Sequence, residues 1–168
     1  ADRVIRVATV PCLVIRAPLH LPLRNVVAPV DLSAASHGAL EVAIAWAAEL
    51  GPASGAGERR TSLSVLHVLP RTMDIPEFAL DLREVEAALH TGIQEAEARG
   101  GGDDLDVREV VRWGDSPIED IVQYLNESAA DLVVTGTHGQ GILKRFLIGS
   151  VAWGWARPRP WVSASSAR

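Results

Sequence analysis

Four short β-branched runs, each followed by a segment of helical spacing, constrain this chain more than any other feature. The runs are "NVVAPVD" (Asn25–Asp31), "SLSVLHVL" (Ser62–Leu69), "LDVREVVRWG" (Leu105–Gly114) and "DLVVTG" (Asp131–Gly136). After the first, Ser33 reads as an N-cap for a helix that carries Leu40, Ala43, Ile44, Ala47 and Leu50 on one face. After the second, Leu82, Val85, Leu89, Ile93 and Ala96 recur at steps of three and four until Gly100. "DSPIEDIVQYLNESAA" supplies a cap, Pro117 in the first turn and an Ile121/Val122/Leu125 face, and a fourth helix is expected from Ile142 to about Ala152. Strands that alternate with helices are joined by right-handed crossovers, so the expected fold is α/β: a doubly wound parallel sheet covered on both faces. In such a sheet ligands lie beyond the carboxyl ends of the strands, where the strand order reverses.

Composition narrows the function. A length of 168 residues, 48% of them hydrophobic and 22% charged, suits one folded domain with additions at its ends. The formal net charge is −5, and no run of Lys or Arg is dense enough to follow a phosphate backbone, so nucleic acid is not an expected partner. Pro11, Arg16, Pro18 and Pro22 interrupt the most apolar N-terminal run, which argues against a membrane helix. The lone cysteine, Cys12, allows no intrachain disulfide and reads as a small buried strand residue. A cytoplasmic protein is expected.

The glycines after the fourth strand carry the chemistry. Gly136, Gly139 and Gly141 lie between a strand and a helix, where backbone N–H groups can gather around an anion because no side chain blocks them. Close helix packing explains a glycine-rich turn equally well. Neither the Walker pattern nor the dinucleotide fingerprint is present. The spacing Gly136, two residues, Gly139, nine residues, Gly149-Ser150 resembles the nucleotide-binding signature of the universal stress protein family, in its ATP-binding version. "VVAPVDLSAASHGALEVAIAWA", "LSVLHVL" and "GDSPIEDIVQYLNESAADLVVTGTHG" are similar to that family's first strand and helix, second strand and approach to the glycines.

The resemblance implies the adenine-nucleotide α-hydrolase-like version of the doubly wound fold and a regulatory role in stress response. It also implies that Asp31 contacts the adenosine and that Val68 supports the adenine. Gly136, Gly139, Gly149 and Ser150 would hold ribose and phosphates. The ligand would be ATP, or AMP or ADP, with Mg arriving on the phosphates. Asp31 is alternatively a capping acid ahead of Ser33, and His138 is either a phosphate donor or an exposed loop residue. His67 reads as a strand histidine satisfied by the backbone, and Lys144-Arg145 as a solvated helix face. The histidines show no metal-ligand spacing, and no residue stands out as a catalytic base. Slow ATP hydrolysis, adenylation or autophosphorylation and a strand-exchange module with a vestigial site are the alternatives.

The ends depart from the family. Its domains continue from the last helix into a fifth parallel strand that also pairs with a second subunit, whereas here the helix runs into "WGWARPRPWVSASSAR". A Pro-Arg-Pro stretch does not make a central ladder strand, so residues 153–168 are expected to be an irregular tail. "ADRVIRVATVPCLVIRAP" is instead similar to the missing end, with a strand at Cys12–Ile15. This divides the chain into residues 1–18 as the remnant of a preceding domain in a tandem protein, 19–24 as linker, 25–152 as the domain, and 153–168 as tail. The fifth strand is expected from the N-terminal segment, docked beside the fourth strand within one chain or exchanged in a homodimer.

Overall fold

A computed structural model describes residues 10–15, 18–53, 60–71, 82–136 and 162–166, the last group as backbone. Six strands form one sheet: β1 (Cys12–Val14), β2 (Asn25–Pro29), β3 (Ser62–Pro70), β4 (Asp106–Gly114), β5 (Leu132–Gly136) and β6 (Val162–Ser166). The described helices are α1 (Ala34–Leu50), α2 (Leu82–Gly100) and α3 (Pro117–Glu127). Strand order is β1-β6-β5-β2-β3-β4. All neighbouring pairs are parallel except β1 with β6. The expected fourth helix lies outside the described residues.

The period-two alternation of the central strands sends successive side chains to opposite faces. Val26 and Ala28 of β2, Leu63 and Val65 of β3, and Leu132 and Val134 of β5 join Leu40, Ala43 and Ile44 of α1 and Leu89, Ile93 and Ala96 of α2. Val27, Leu66 and Val133 meet Ile121 and Leu125 of α3 on the other face. Each large aliphatic side chain buried in this way contributes about 1.5–3 kcal/mol. Leu82, expected on the buried face of α2, is 38% exposed, because it opens the helix beyond the reach of the sheet.

The amino ends of the central strands are pinned by one carboxylate. Asp131 Oδ2 accepts from the backbone N–H of Arg24 at 2.8 Å and of Asn25 at 2.9 Å, while the Asp131 N–H donates to Asn25 O at 2.8 Å. These bonds fix where β2 and β5 begin, and with it the register Val26↔Leu132. Nearby, Thr61 Oγ1 donates to Leu23 O at 2.9 Å and the Leu23 N–H to Leu50 O at 2.8 Å, tying the start of β3 and the end of α1 to the lead-in of β2.

The β1-β6 edge of the sheet corrects the expectation drawn from the sequence. The place beside β5 is taken by β6, parallel to it from Leu132↔Val162 to Gly136↔Ser166. The N-terminal strand therefore does not lie beside the fourth strand of the domain; it lies one place further out, antiparallel to β6, with Cys12 opposite Ser165 and Val14 opposite Ser163. Nor is the tail irregular throughout. Prolines 158 and 160 cannot donate to a ladder, but residues 162–166 contain no proline, and pairing starts just past the obstacle. Cys12 is half-exposed rather than buried, at the outer strand of the described sheet.

The C-terminus of α3 closes in a Schellman arrangement, with the Ala130 N–H bonded to Leu125 O at 3.0 Å and the Ala129 N–H to Asn126 O at 3.3 Å. That turn needs a left-handed residue, and Ala129 supplies it at φ 48. Replacing it by glycine, which adopts this conformation without a Cβ clash, should raise stability by about 0.5–1 kcal/mol in urea unfolding. Asp131→Ala should lower stability by about 2 kcal/mol in the same measurement, as two charge-assisted bonds are lost. The antiparallel register brings the Cα atoms of Cys12 and residue 165 within disulfide range, so oxidised Ser165→Cys should carry a bond to Cys12; no crosslink would refute this pairing.

Candidate functional site

The strand order reverses at β2. From it the chain steps outward to β3 and β4, then returns to β5 on the other side, so the carboxyl ends of β2 and β5 flank the switch point. Three of the residues singled out in the sequence lie there on adjacent strands. The β2–β3 register, continued past Pro29↔Leu66, sets Asp31 level with Val68, and the β2–β5 register, continued past Val27↔Val133, sets Gly136 level with Val30.

Asp31 ends the β2 run and starts a tight turn. Its Oδ1 accepts from the Ser33 N–H at 3.1 Å and from the Ser33 hydroxyl, and Leu32 between them takes a left-handed φ of 59. Ser33 then caps α1, its Oγ accepting from the Ser36 N–H at 3.3 Å. The cap is Ser33 itself, and the Asp31 carboxylate, for which a capping role was the alternative, orients that residue through its N–H and hydroxyl. Asp31 stays half-buried at the sheet's carboxyl edge, where an acceptor could also meet a ligand's hydroxyl or amino group.

Val68 is half-buried on the α3 face, packed against the cluster of Leu66, Ile121 and Leu125. Its neighbour His67 faces the other way, and its Nδ1–H donates to Val30 O at 2.8 Å, which is the backbone satisfaction expected for it. This bond ties the carboxyl end of β3 to the strand carrying Asp31.

Gly136 is buried, and a Cβ placed on it would come 2.8 Å from Ala35 O and 3.2 Å from the Ala35 carbonyl carbon. Its lack of a side chain lets the end of β5 approach the first turn of α1. The close-packing explanation therefore accounts for this glycine by itself. His138, Gly139, Gly149 and Ser150 lie outside the described residues, as do Gly141 and Lys144-Arg145. Among the described residues no group of three or more His, Cys, Asp or Glu could hold a metal ion, and no helix is long and apolar enough to cross a membrane.

Two features of the same edge were not singled out in the sequence. Thr135, just before Gly136, is 1% exposed, and its Oγ1 has no hydrogen-bond partner among the described residues. Pro29, in the strand beside it, has no N–H. The hydrogen-bonded register of β2 with β5 covers Val26 and Val27 only, and the bond that residue 29 would send to Val134 O cannot form. A hydroxyl inside the otherwise apolar "LVVTG" run and a proline ending a central strand were the signals available for both.

Comparison with known proteins agrees with this architecture. The family model described as the universal stress protein family matches residues 22–158. The fold is similar to that of a universal stress protein crystallised in complex with cAMP, at TM-score 0.59 and 23% identity over 87% of this chain and 98% of that one. It is also similar to universal stress protein UspA from Lactobacillus plantarum, at TM-score 0.57 and 19% identity over 79% and 90% of the two chains. A universal stress protein from Archaeoglobus fulgidus DSM 4304 matches at TM-score 0.56 and 21% identity, over 96% of this chain and 50% of that one. At these identities the likeness is one of fold, and no match was found among curated proteins. With the family model covering most of its length, the chain belongs to the universal stress protein family.

Proposed function

We propose that this chain is an adenine-nucleotide-binding module, with ATP as the ligand, that regulates a response to stress rather than catalysing a reaction. The observation that carries the reading is the convergence of Asp31, Val68 and Gly136 at the carboxyl ends of β2, β3 and β5, around the switch point. Asp31 offers an acceptor to the adenosine and Val68 an apolar surface to the adenine. The backbone after Gly136, with His138, Gly139, Gly149 and Ser150, holds ribose and phosphates, and any Mg is carried by phosphate oxygens. The structural neighbour crystallised with cAMP supports an adenine nucleotide as the ligand class.

The residues present fit such a ligand in two respects. Thr135 Oγ1 is a buried polar atom with no partner among the described residues at this edge, and Asp31 adds an acceptor beside an apolar wall. Gly136 contributes by packing, through its approach to Ala35, so the phosphate-binding role rests on Gly139, Gly149 and Ser150.

The segment ahead of β2 is the end of a preceding domain of a tandem protein in this reading. The Archaeoglobus chain, of which this one matches half, is consistent with that origin. β1 is also the piece by which two copies would associate, since pairing with another chain's β6 keeps the same register. Isothermal calorimetry of the full chain should show ATP binding. Gly139→Val should reduce it below detection with the melting temperature unchanged, because the branched side chain occupies the phosphate's space. Absence of binding by the unaltered protein would refute the proposal.

A further inference from the structure

Three buried hydroxyls elsewhere in the sheet and its helices are satisfied internally. Ser36 Oγ donates to Ser33 O at 2.9 Å, Thr61 Oγ1 to Leu23 O at 2.9 Å, and Ser64 Oγ accepts from the Tyr124 hydroxyl at 2.9 Å. Thr135 differs: among the described residues its Oγ1 is the buried side-chain polar atom without a partner. A hydroxyl taken from water and left unbonded is unfavourable, and valine would fill the same volume in an apolar strand at no such cost.

Its position gives the hydroxyl a use. Thr135 follows Val133 by two residues and so faces the α3 side of the sheet. The β2–β5 register, continued, sets it beside Pro29, where the ladder bond to Val134 O is missing. The strands flanking the switch point therefore share an unpaired hydroxyl and a carbonyl without its ladder donor at their carboxyl ends. That is the end of the seam at which this fold accepts ligands.

We propose that Thr135 is a specificity-determining residue of the nucleotide site, its hydroxyl forming a hydrogen bond to a polar group of the bound adenine nucleotide at the floor of the β2–β5 crevice. The proposal rests on the nucleotide-binding reading above. In binding, Thr135 exchanges an unsatisfied buried state for a bonded one, so its contribution appears in the complex and not in the free protein.

Calorimetry with ATP on the full chain, with thermal melts of the nucleotide-free proteins, tests this. Thr135→Val should weaken ATP binding about tenfold while leaving the nucleotide-free melting temperature equal or higher, and Thr135→Ser, which keeps the hydroxyl, should bind within about threefold of the unaltered protein. Equal ATP affinity in Thr135→Val and the unaltered protein would overturn the inference and leave the nucleotide reading intact. A fall of several degrees in the nucleotide-free melt of Thr135→Val would also overturn it, by showing that the hydroxyl is bonded within the protein. No ATP binding by the unaltered protein would overturn both.

Discussion

The seam between β2 and β5 governs the molecule. At its amino end Asp131 holds both strands through the N–H groups of Arg24 and Asn25. At its carboxyl end Pro29 withholds a ladder bond, and Gly136 lets β5 close against α1. A seam fastened at one end and incompletely bonded at the other concentrates unmet hydrogen-bonding capacity where the strand order reverses. The two cores, one on each face, are built on the alternating side chains of these same strands and keep the seam in place. Stability and the candidate site thus draw on opposite ends of one strand pair.

Much of this was legible in the sequence, for physical reasons that also explain what was not. Runs such as "NVVAPVD" announce buried parallel strands because both faces must be apolar, and Asp31 and Gly136 are placed by where those runs end. β6 gave no such sign. "VSASS" alternates only weakly, with Val162 its single large apolar residue, and it becomes a strand because β5 on one side and β1 on the other offer it backbone partners, which side-chain patterns do not encode. Thr135 passed unremarked because threonine suits a strand sterically; only the burial of its hydroxyl sets it apart. The role of Gly136 was left between ligand access and helix packing, and the contact with Ala35 needed three dimensions to be seen.

The two outer strands manage their open edges differently. Along β4 the charges are tied across or back: Arg108 Nε to Asp106 at 3.0 Å, His90 to Glu109 at 2.6 Å, and Arg112 to Glu127 while it stacks 4.6 Å from the centre of the Tyr124 ring. Hydrogen bonds from Arg112 and then Gln123 hold the Glu127 carboxyl below the usual carboxylate range. Charge of this density discourages another strand from adding there. At the far edge Val10 and Ile15 are 62% and 57% exposed around a three-residue strand, with no comparable guard among the described residues.

The pairing of β1 with β6 has a consequence for the order in which the sheet can assemble. Among the described strands, the first in sequence has as its sheet neighbour the last, so that pairing can close only after everything between them has been synthesised. β2, β3 and β4 meet through short crossovers and can settle early, whereas the β1-β6 edge is the highest-contact-order element of the fold and forms late. Until then the apolar run from Val10 to Ile15 waits without a strand beside it, which makes the final residues of the sheet a shield for the first ones.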